Sequence, residues 1–389
     1  MIPLAVPNLE GNEAAYLQEC ITSTFVSTVG PFVGKFESQI AELSGTASAA
    51  VLCSGTTALH LALEGLGIGE GDLVMGPALT FIASPNAVRH ARADVWLADV
   101  SANDWMLDVV AARAAIEAQT DPHPSGRLHR DSGKVLRALM PVMIMGSVPD
   151  FPALVSLAKA FNLRIIVDAA AAIGTTAANG DALGGTGVDA VCYSFNGNKT
   201  VTCGGGGAVA ASDDALIARI KHLSSTGRVG ANYDHDIVAY NYRMTNLQAA
   251  LGVAQLERLD DFLKAKHEIR DRYADLSDKF ADLSPFPELR HGKDGHWFSG
   301  FWYTGDKQGI ETEFQTHMKA AGVDLRPFWK PVHLQKPYAT ALAEPMPVTD
   351  GIWKRIFPLP CSTHITPADL DTVIAAAFEF WTDHEIKKV

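Results

Sequence analysis

One lysine sits where a side-chain amine could act as a reagent. Lys199 lies in the stretch Ser194-Phe-Asn-Gly-Asn-Lys199, and four consecutive glycines, Gly204 to Gly207, follow it. Elsewhere such a lysine would be an ordinary solvated charge. Here it follows an apolar run, Val188 to Tyr193, that reads as a buried strand. Another apolar run, Leu163 to Val167, ends in Asp168, and four alanines come next. A carboxylate beside only small side chains at the end of a buried strand is costly unless it is paired. A buried Asp capping a neighbouring loop is the plainer reading. Thirty-one positions separate Asp168 from Lys199, enough for a crossover between parallel strands. Acid and amine can therefore meet at one sheet edge. The glycines permit close backbone approach and positive φ, but they also suit a tight turn. They match no phosphate loop of the Walker type, and no GxGxxG follows the first strand.

A third feature is Ser54-Gly55-Thr56-Thr57, which follows the apolar Ala49 to Cys53 and opens a helical stretch. Small residues at a helix start leave backbone N–H groups free, and with the helix dipole they make an anion site. An ordinary N-cap at Ser54 or Thr56 explains the same residues. Phe81 could stack on a planar ring, or be a plain core aromatic. An anion site, a buried acid and a lysine at one edge fit pyridoxal 5′-phosphate, which carries a phosphate, a pyridine nitrogen and an aldehyde. The lysine would form the Schiff base, and the acid would keep the ring nitrogen protonated so that the ring draws off electrons.

The elements that must position these residues are legible in outline. Strand-like runs begin near Ser48, Asp72, Ala93, Arg137, Leu163 and Val188. They are mostly apolar on both faces, as buried strands of a mostly parallel sheet are. Helical stretches such as Thr56–Gly67 and Asp150–Asn162 lie between them. The alternation continues to about residue 212 and predicts an α/β doubly wound domain. From Thr245 the pattern predicts one long amphipathic helix, with Leu256, Leu259 and Leu263 at i, i+3 and i+7. The expected division is a large domain over residues 1–250 and a smaller α+β domain over residues 251–389.

Composition narrows the function classes. The 389 residues suit two domains of unequal size. A formal net charge of −12 leaves no basic footprint for nucleic acid or an anionic membrane. Five cysteines without a CxxC pair argue for reduced thiols in a cytoplasmic setting rather than a disulfide or zinc framework. No signal peptide and no apolar stretch of membrane-spanning length is present in the sequence. His60 lies in an apolar helix and reads as a core or dimer contact. The other histidines show no helix-borne metal spacing, so no metal site is expected.

The sequence resembles the DegT/DnrJ/StrS sugar aminotransferases, fold type I pyridoxal-phosphate enzymes, over nearly its whole length. The matching pieces include "CSGTTALHLAL", "PALTFIASPNAV", "VDAAAAIG", "SFNGNK", "YNYRMTNLQAALGVAQLERLD" and "RPFWKPVHLQKPY". "SFNGNK" with its four glycines looks most like the subgroup that aminates C4 of nucleotide-linked 4-keto-6-deoxy-2-acetamido sugars. The resemblance implies Lys199 as the Schiff-base lysine and Asp168 as partner of the pyridine nitrogen. It implies Gly55, Thr56, Thr57 and Ser194 on the phosphate and Phe81 on the ring. It implies that Asn241 reaches the phosphate of the neighbouring subunit's cofactor, making a homodimer with shared sites. Trp329, His333 and Arg243 would approach the sugar nucleotide, and glutamate would be the amino donor. Two departures stand out. Ala171 occupies a position that is usually polar, often Gln, and the family's "PVH" reads here as "PVMIMG". A dehydratase of the same family would carry His where Lys199 stands. A non-catalytic protein that keeps the fold is the remaining alternative.

Overall fold

The computed structural model describes residues 1–287, 291–293 and 295–384. Seven strands form the frame that positions the site: β1 (Ser48–Leu52), β2 (Asp72–Pro77), β3 (Asp94–Ala98), β4 (Val135–Leu139), β5 (Arg164–Asp168), β6 (Ala190–Ser194) and β7 (Gly207–Ala211). Their order across the sheet is β1-β7-β6-β5-β4-β2-β3, and the two-residue strand Leu342–Ala343 adds beside β3. From β6 to β3 all neighbours are parallel, while β7 runs antiparallel to both β6 and β1. A hairpin, Thr120–His123 with Gly126–His129, continues from β4. The arrangement is the expected α/β one, built on a large, mostly parallel sheet.

Burial explains why the strands read as unbroken apolar runs. Ile165, Ile166 and Val167 of β5 and Val191 and Cys192 of β6 are all at most 2% exposed. Helices cover both faces, so neither side of a strand meets water. The run through Met145 reads as strand, but the continuous ladder of β4 ends at Leu139, and beyond it only an isolated bridge joins Val142 to Asp168. Pro141 lacks the N–H that a central strand needs. Residues 144–146 instead form a 3-10 turn in which Met145 has φ of 55°.

The long helix expected from Thr245 is two helices, α3 (Asn246–Leu256) and α4 (Leu259–Ser277), when α1 (Gly55–Gly65) and α2 (Ala83–His90) are counted first. The residues at the break are held by the N-terminal segment. Gln255 donates to the Asn8 carbonyl (2.7 Å), Glu257 accepts from Asn12 and Tyr16, and Arg258 donates to the Asn8 side chain (2.8 Å). Thr245 does cap α3, with Gln248 completing a capping box. Helix α4 then passes between two cores. Leu259, Phe262 and Leu263 pack with the large sheet, whereas Ile269, Tyr273 and Leu276 pack with the aromatic core around Phe301, Phe314 and Trp381. That second core backs a small antiparallel sheet of β8 (Leu283–Pro285), β9 (Ser299–Tyr303) and β10 (Ile356–Leu359). Among the described residues no helix is long and apolar enough to cross a membrane.

Candidate active site

The site lies outside the carboxyl ends of the parallel strands, where ligands bind in open α/β sheets. Asp168 is the last residue of β5 and is 5% exposed. The following residues turn away from the sheet, and the Ala170 N–H donates back to its carboxylate at 3.0 Å. Ser84 Oγ donates to the other carboxylate oxygen at 2.6 Å. The backbone is clasped as well: the Asp168 N–H donates to the Pro141 carbonyl, and the Asp168 carbonyl accepts from the Met143 N–H, each at 2.9 Å. Burial pushes the Asp168 carboxyl above its ordinary range, against the pull of Ser84, Ala170 and the Lys199 charge.

Lys199 follows β6 and is half-buried in a tight turn whose N–H donates to the Asn196 carbonyl. Burial drives its amine down to about 7, and the field of Asp168 opposes that shift. The amine lies 3.4 Å from the centre of the Trp297 ring. Both groups thus pay a desolvation cost in a place where each is the other's charged neighbour.

The start of α1 completes the arrangement. Ser54 caps it, its hydroxyl accepting from the Thr57 N–H, and Thr57 Oγ1 accepts from the Ser54 N–H, both at 3.1 Å. The first-turn N–H groups of Gly55 and Thr56 have no partner within the helix. Two glycines let the helix start sit this close to the sheet. A Cβ at Gly55 would lie 2.7 Å from the Ser194 Cβ, and one at Gly207 would lie 2.3 Å from the Ser54 carbonyl oxygen. The run of glycines after Lys199 therefore brings β7 against the helix start.

These elements surround a cavity of about 750 Å³. Gly55, Thr56, Phe81, Asp168, Ser194, Lys199 and Trp329 all line it. Phe81 is no core residue: it is 53% exposed, with its ring centre 5.8 Å from that of Trp329. Four other expected residues are not on the cavity wall of this chain. Thr57 is consumed by the cap. Asn241 is exposed and bridges Ser225 through its backbone, and Arg243 bridges Leu52 at the end of β1. His333 Nε2 is engaged by Asp350 at 2.9 Å.

The sequence did not point to Ser84 or Trp297. Ser84 lies in the first turn of α2 and looks like a helix-start serine, and only the topology turns it toward β5. Trp297 comes from the far side of the cavity, with no local pattern to mark it. The two departures in the sequence meet in space. Ala171 lines the same wall as Val142, Met143, Ile144 and Met145, and its carbonyl oxygen lies 2.7 Å from where a Cβ on Gly146 would be.

The parts fit pyridoxal phosphate. Free N–H groups at a helix start suit a dianion, a buried carboxylate held by Ser84 and the Ala170 N–H suits a protonated ring nitrogen, and an amine near neutrality suits an aldehyde. Among the described residues, no group of three or more His, Cys, Asp or Glu side chains could hold a metal ion. Residues 7–378 match the DegT/DnrJ/EryC1/StrS aminotransferase family model. The chain is 35% identical over 381 residues to GDP-perosamine synthase of Caulobacter vibrioides, covering 96% of this chain and 97% of that protein. It is 37% identical over 341 residues to GDP-perosamine synthase of Vibrio cholerae, covering 86% of each. The solved structure of DesV from S. venezuelae, in complex with a ketimine intermediate, superposes with a TM-score of 0.83 at 28% identity, covering 95% of this chain and 94% of that one. The chain belongs to the DegT/DnrJ/EryC1/StrS aminotransferase family.

Proposed function

We propose that this pyridoxal-phosphate-dependent sugar aminotransferase transfers an amino group, from glutamate, to the C4 keto group of a GDP-linked sugar. The observation that carries the reading is the meeting of Lys199 and Asp168 in one cavity at the carboxyl edge of the sheet, beside the free helix start of α1. The names of the relatives put a GDP-linked amino sugar ahead of the 2-acetamido sugars suggested by "SFNGNK". The apolar wall of Val142, Met143, Ile144 and Met145 supports a sugar face lacking a hydroxyl, since a buried hydroxyl there would go unpaired.

When bound, the cofactor supplies an aldehyde that captures amines and a cationic ring that withdraws electrons. Lys199 would hold the aldehyde carbon and, once released, carry one proton between donor and cofactor as general base and then acid. Asp168, oriented by Ser84 and Ala170, would hold the ring nitrogen's proton. Gly55, Thr56 and Ser194 would hold the phosphate, with Phe81 against the ring. Trp329 would meet the sugar nucleotide. Asn241, exposed on its own subunit, would reach the phosphate of a second copy. Arg243 and His333 keep a place as substrate-side residues only if that second copy or closure brings them in. Residues 1–250 would form the cofactor-binding domain and residues 251–389 the smaller one, which supplies Trp297 and Trp329 to the cavity. We place the enzyme in the cytoplasm, where its five free cysteines would stay reduced.

The test is a cofactor spectrum read during turnover. Glutamate should convert the bound cofactor to its amine form. A panel of GDP- and UDP-linked 4-keto sugars should then restore the original spectrum, with a GDP-linked sugar fastest. No spectral response to any amino donor would overturn the assignment.

A further inference from the structure

We propose that Trp297 is a positioning residue whose indole face seats the Lys199 amine whenever that amine is not bonded to the cofactor. The inference rests on the reading of Lys199 given above. The amine lies 3.4 Å from the ring centre, within the range at which a π face attracts a cation.

The residue is buried, at 2% exposure, and is held through its ring N–H, its backbone N–H and its carbonyl. Its Nε1–H donates to the carbonyl of Asn198, the residue before the lysine, at 2.6 Å. Its backbone N–H donates to the Met145 carbonyl at 2.8 Å. Its own carbonyl accepts from Lys266 Nζ at 2.8 Å. The ring also stacks on Phe298, centre to centre at 3.9 Å.

Lys266 gives the second observation. Its side chain is 3% exposed, and its amine donates to two backbone carbonyls, Trp297 at 2.8 Å and Cys361 at 2.6 Å. Burying a lysine amine on two carbonyls and the Cys361 sulfur, with no carboxylate among these partners, is costly. The expense is understandable if the position of Trp297 matters. The indole N–H makes the arrangement reciprocal: Trp297 holds the turn that carries Lys199 while its face receives the amine.

The chemistry explains the need. Between the two half-reactions the lysine is free, and it alternates between amine and ammonium as it takes and gives one proton. A flexible four-carbon chain would otherwise wander into a cavity of about 750 Å³. The groups facing it are Asp168 from β5 and the Trp297 face. Asp324 and Arg326 lie on the cavity wall, and Lys266 and Cys361 stand behind the Trp297 backbone. Asp168 draws the ammonium toward the ring-nitrogen end of the site, and the π face offers a competing seat that keeps it on the aldehyde side.

The test uses cofactor-free enzyme, so that its readout is independent of turnover. Lys199 is acetylated with acetic anhydride across pH, and the Lys199 peptide is quantified by mass spectrometry for wild type, Trp297→Phe and Trp297→Leu. Removing the face should lower the midpoint of Lys199 labelling by about one pH unit in the Leu variant and by less in the Phe variant. Melting curves identify folded variants, and if Trp297→Leu fails to fold, Trp297→Phe carries the comparison. A midpoint that is unchanged or raised in folded variants overturns the proposal. Adding pyridoxal phosphate should block labelling in the wild type. Loss of that protection would instead overturn the role of Lys199 on which the inference stands.

Discussion

Lys199 and Asp168 each sit where burial works against their charge, and each is partly relieved by the other. The nucleophile proposed here is the neutral amine, and burial brings its pKa from an ordinary 10.5 to about 7. Below pH 7 the amine is mostly ammonium. The rate at which cofactor-free enzyme takes up pyridoxal phosphate should therefore rise through pH 7 and level off above it, read by stopped-flow absorbance. A rate still climbing steadily at pH 9 would mean that burial does not lower this amine. Asp168→Asn keeps a side chain able to bond Ser84 but loses the charge proposed to hold the ring nitrogen's proton. It should slow the donor half-reaction by about a hundredfold or more with cofactor still bound, as single-turnover spectra would show. Asp168 and Lys199 were legible in the sequence because one apolar run ends at Asp168 and another lies a few residues before Lys199. Ser84 and Trp297 were not, because Ser84 meets Asp168 only once α2 folds against β5, and Trp297 meets Asn198 and Lys199 only once the segment before β9 folds over the end of β6.

The helix start depends on backbone proximity more than on side chains, and two substitutions separate these contributions. Ser54→Ala removes one half of the capping box and should cost about 1 kcal/mol of stability. Gly207→Ala places a Cβ 2.3 Å from the Ser54 carbonyl oxygen, so α1 must move off β7. Overpacking of this kind costs about 1–3 kcal/mol, and here it also displaces the Gly55 and Thr56 N–H groups. Cofactor affinity should then fall far more in Gly207→Ala than in Ser54→Ala, as thermal melts and fluorescence titration would show. Equal affinities would mean that the N–H groups do not hold the phosphate. At this level the sequence reading succeeded for strands buried on both faces and failed where side chains serve distant partners. The apolar spacing through Leu256, Leu259 and Leu263 is real. Yet Gln255, Glu257 and Arg258 are engaged by Asn8, Asn12 and Tyr16, about 240 or more positions away, and no local pattern records that the helix breaks there.

Taken as a single chain, the molecule leaves Asn241 exposed and off its own cavity wall, although "YNYRM" was the stretch that suggested a shared site. A net charge of −12 makes recruiting a doubly charged phosphate unfavourable, so neutral donors from a second copy would be useful. In a two-fold dimer any such contact occurs twice, once in each site. The plainer possibility is that Asn241 shapes the turn before Thr245 within its own chain. Mixing separates the two. Lys199→Ala chains lack the amine, Asn241→Ala chains lack the amide, and each homodimer should be impaired in both of its sites. If the amide crosses the interface, a mixed dimer has one doubly defective site and one intact site. Random reassociation makes about half of the dimers mixed, so activity should return to about a quarter of wild type. If Asn241 serves its own subunit, every site in every dimer keeps one defect, and co-refolding restores nothing.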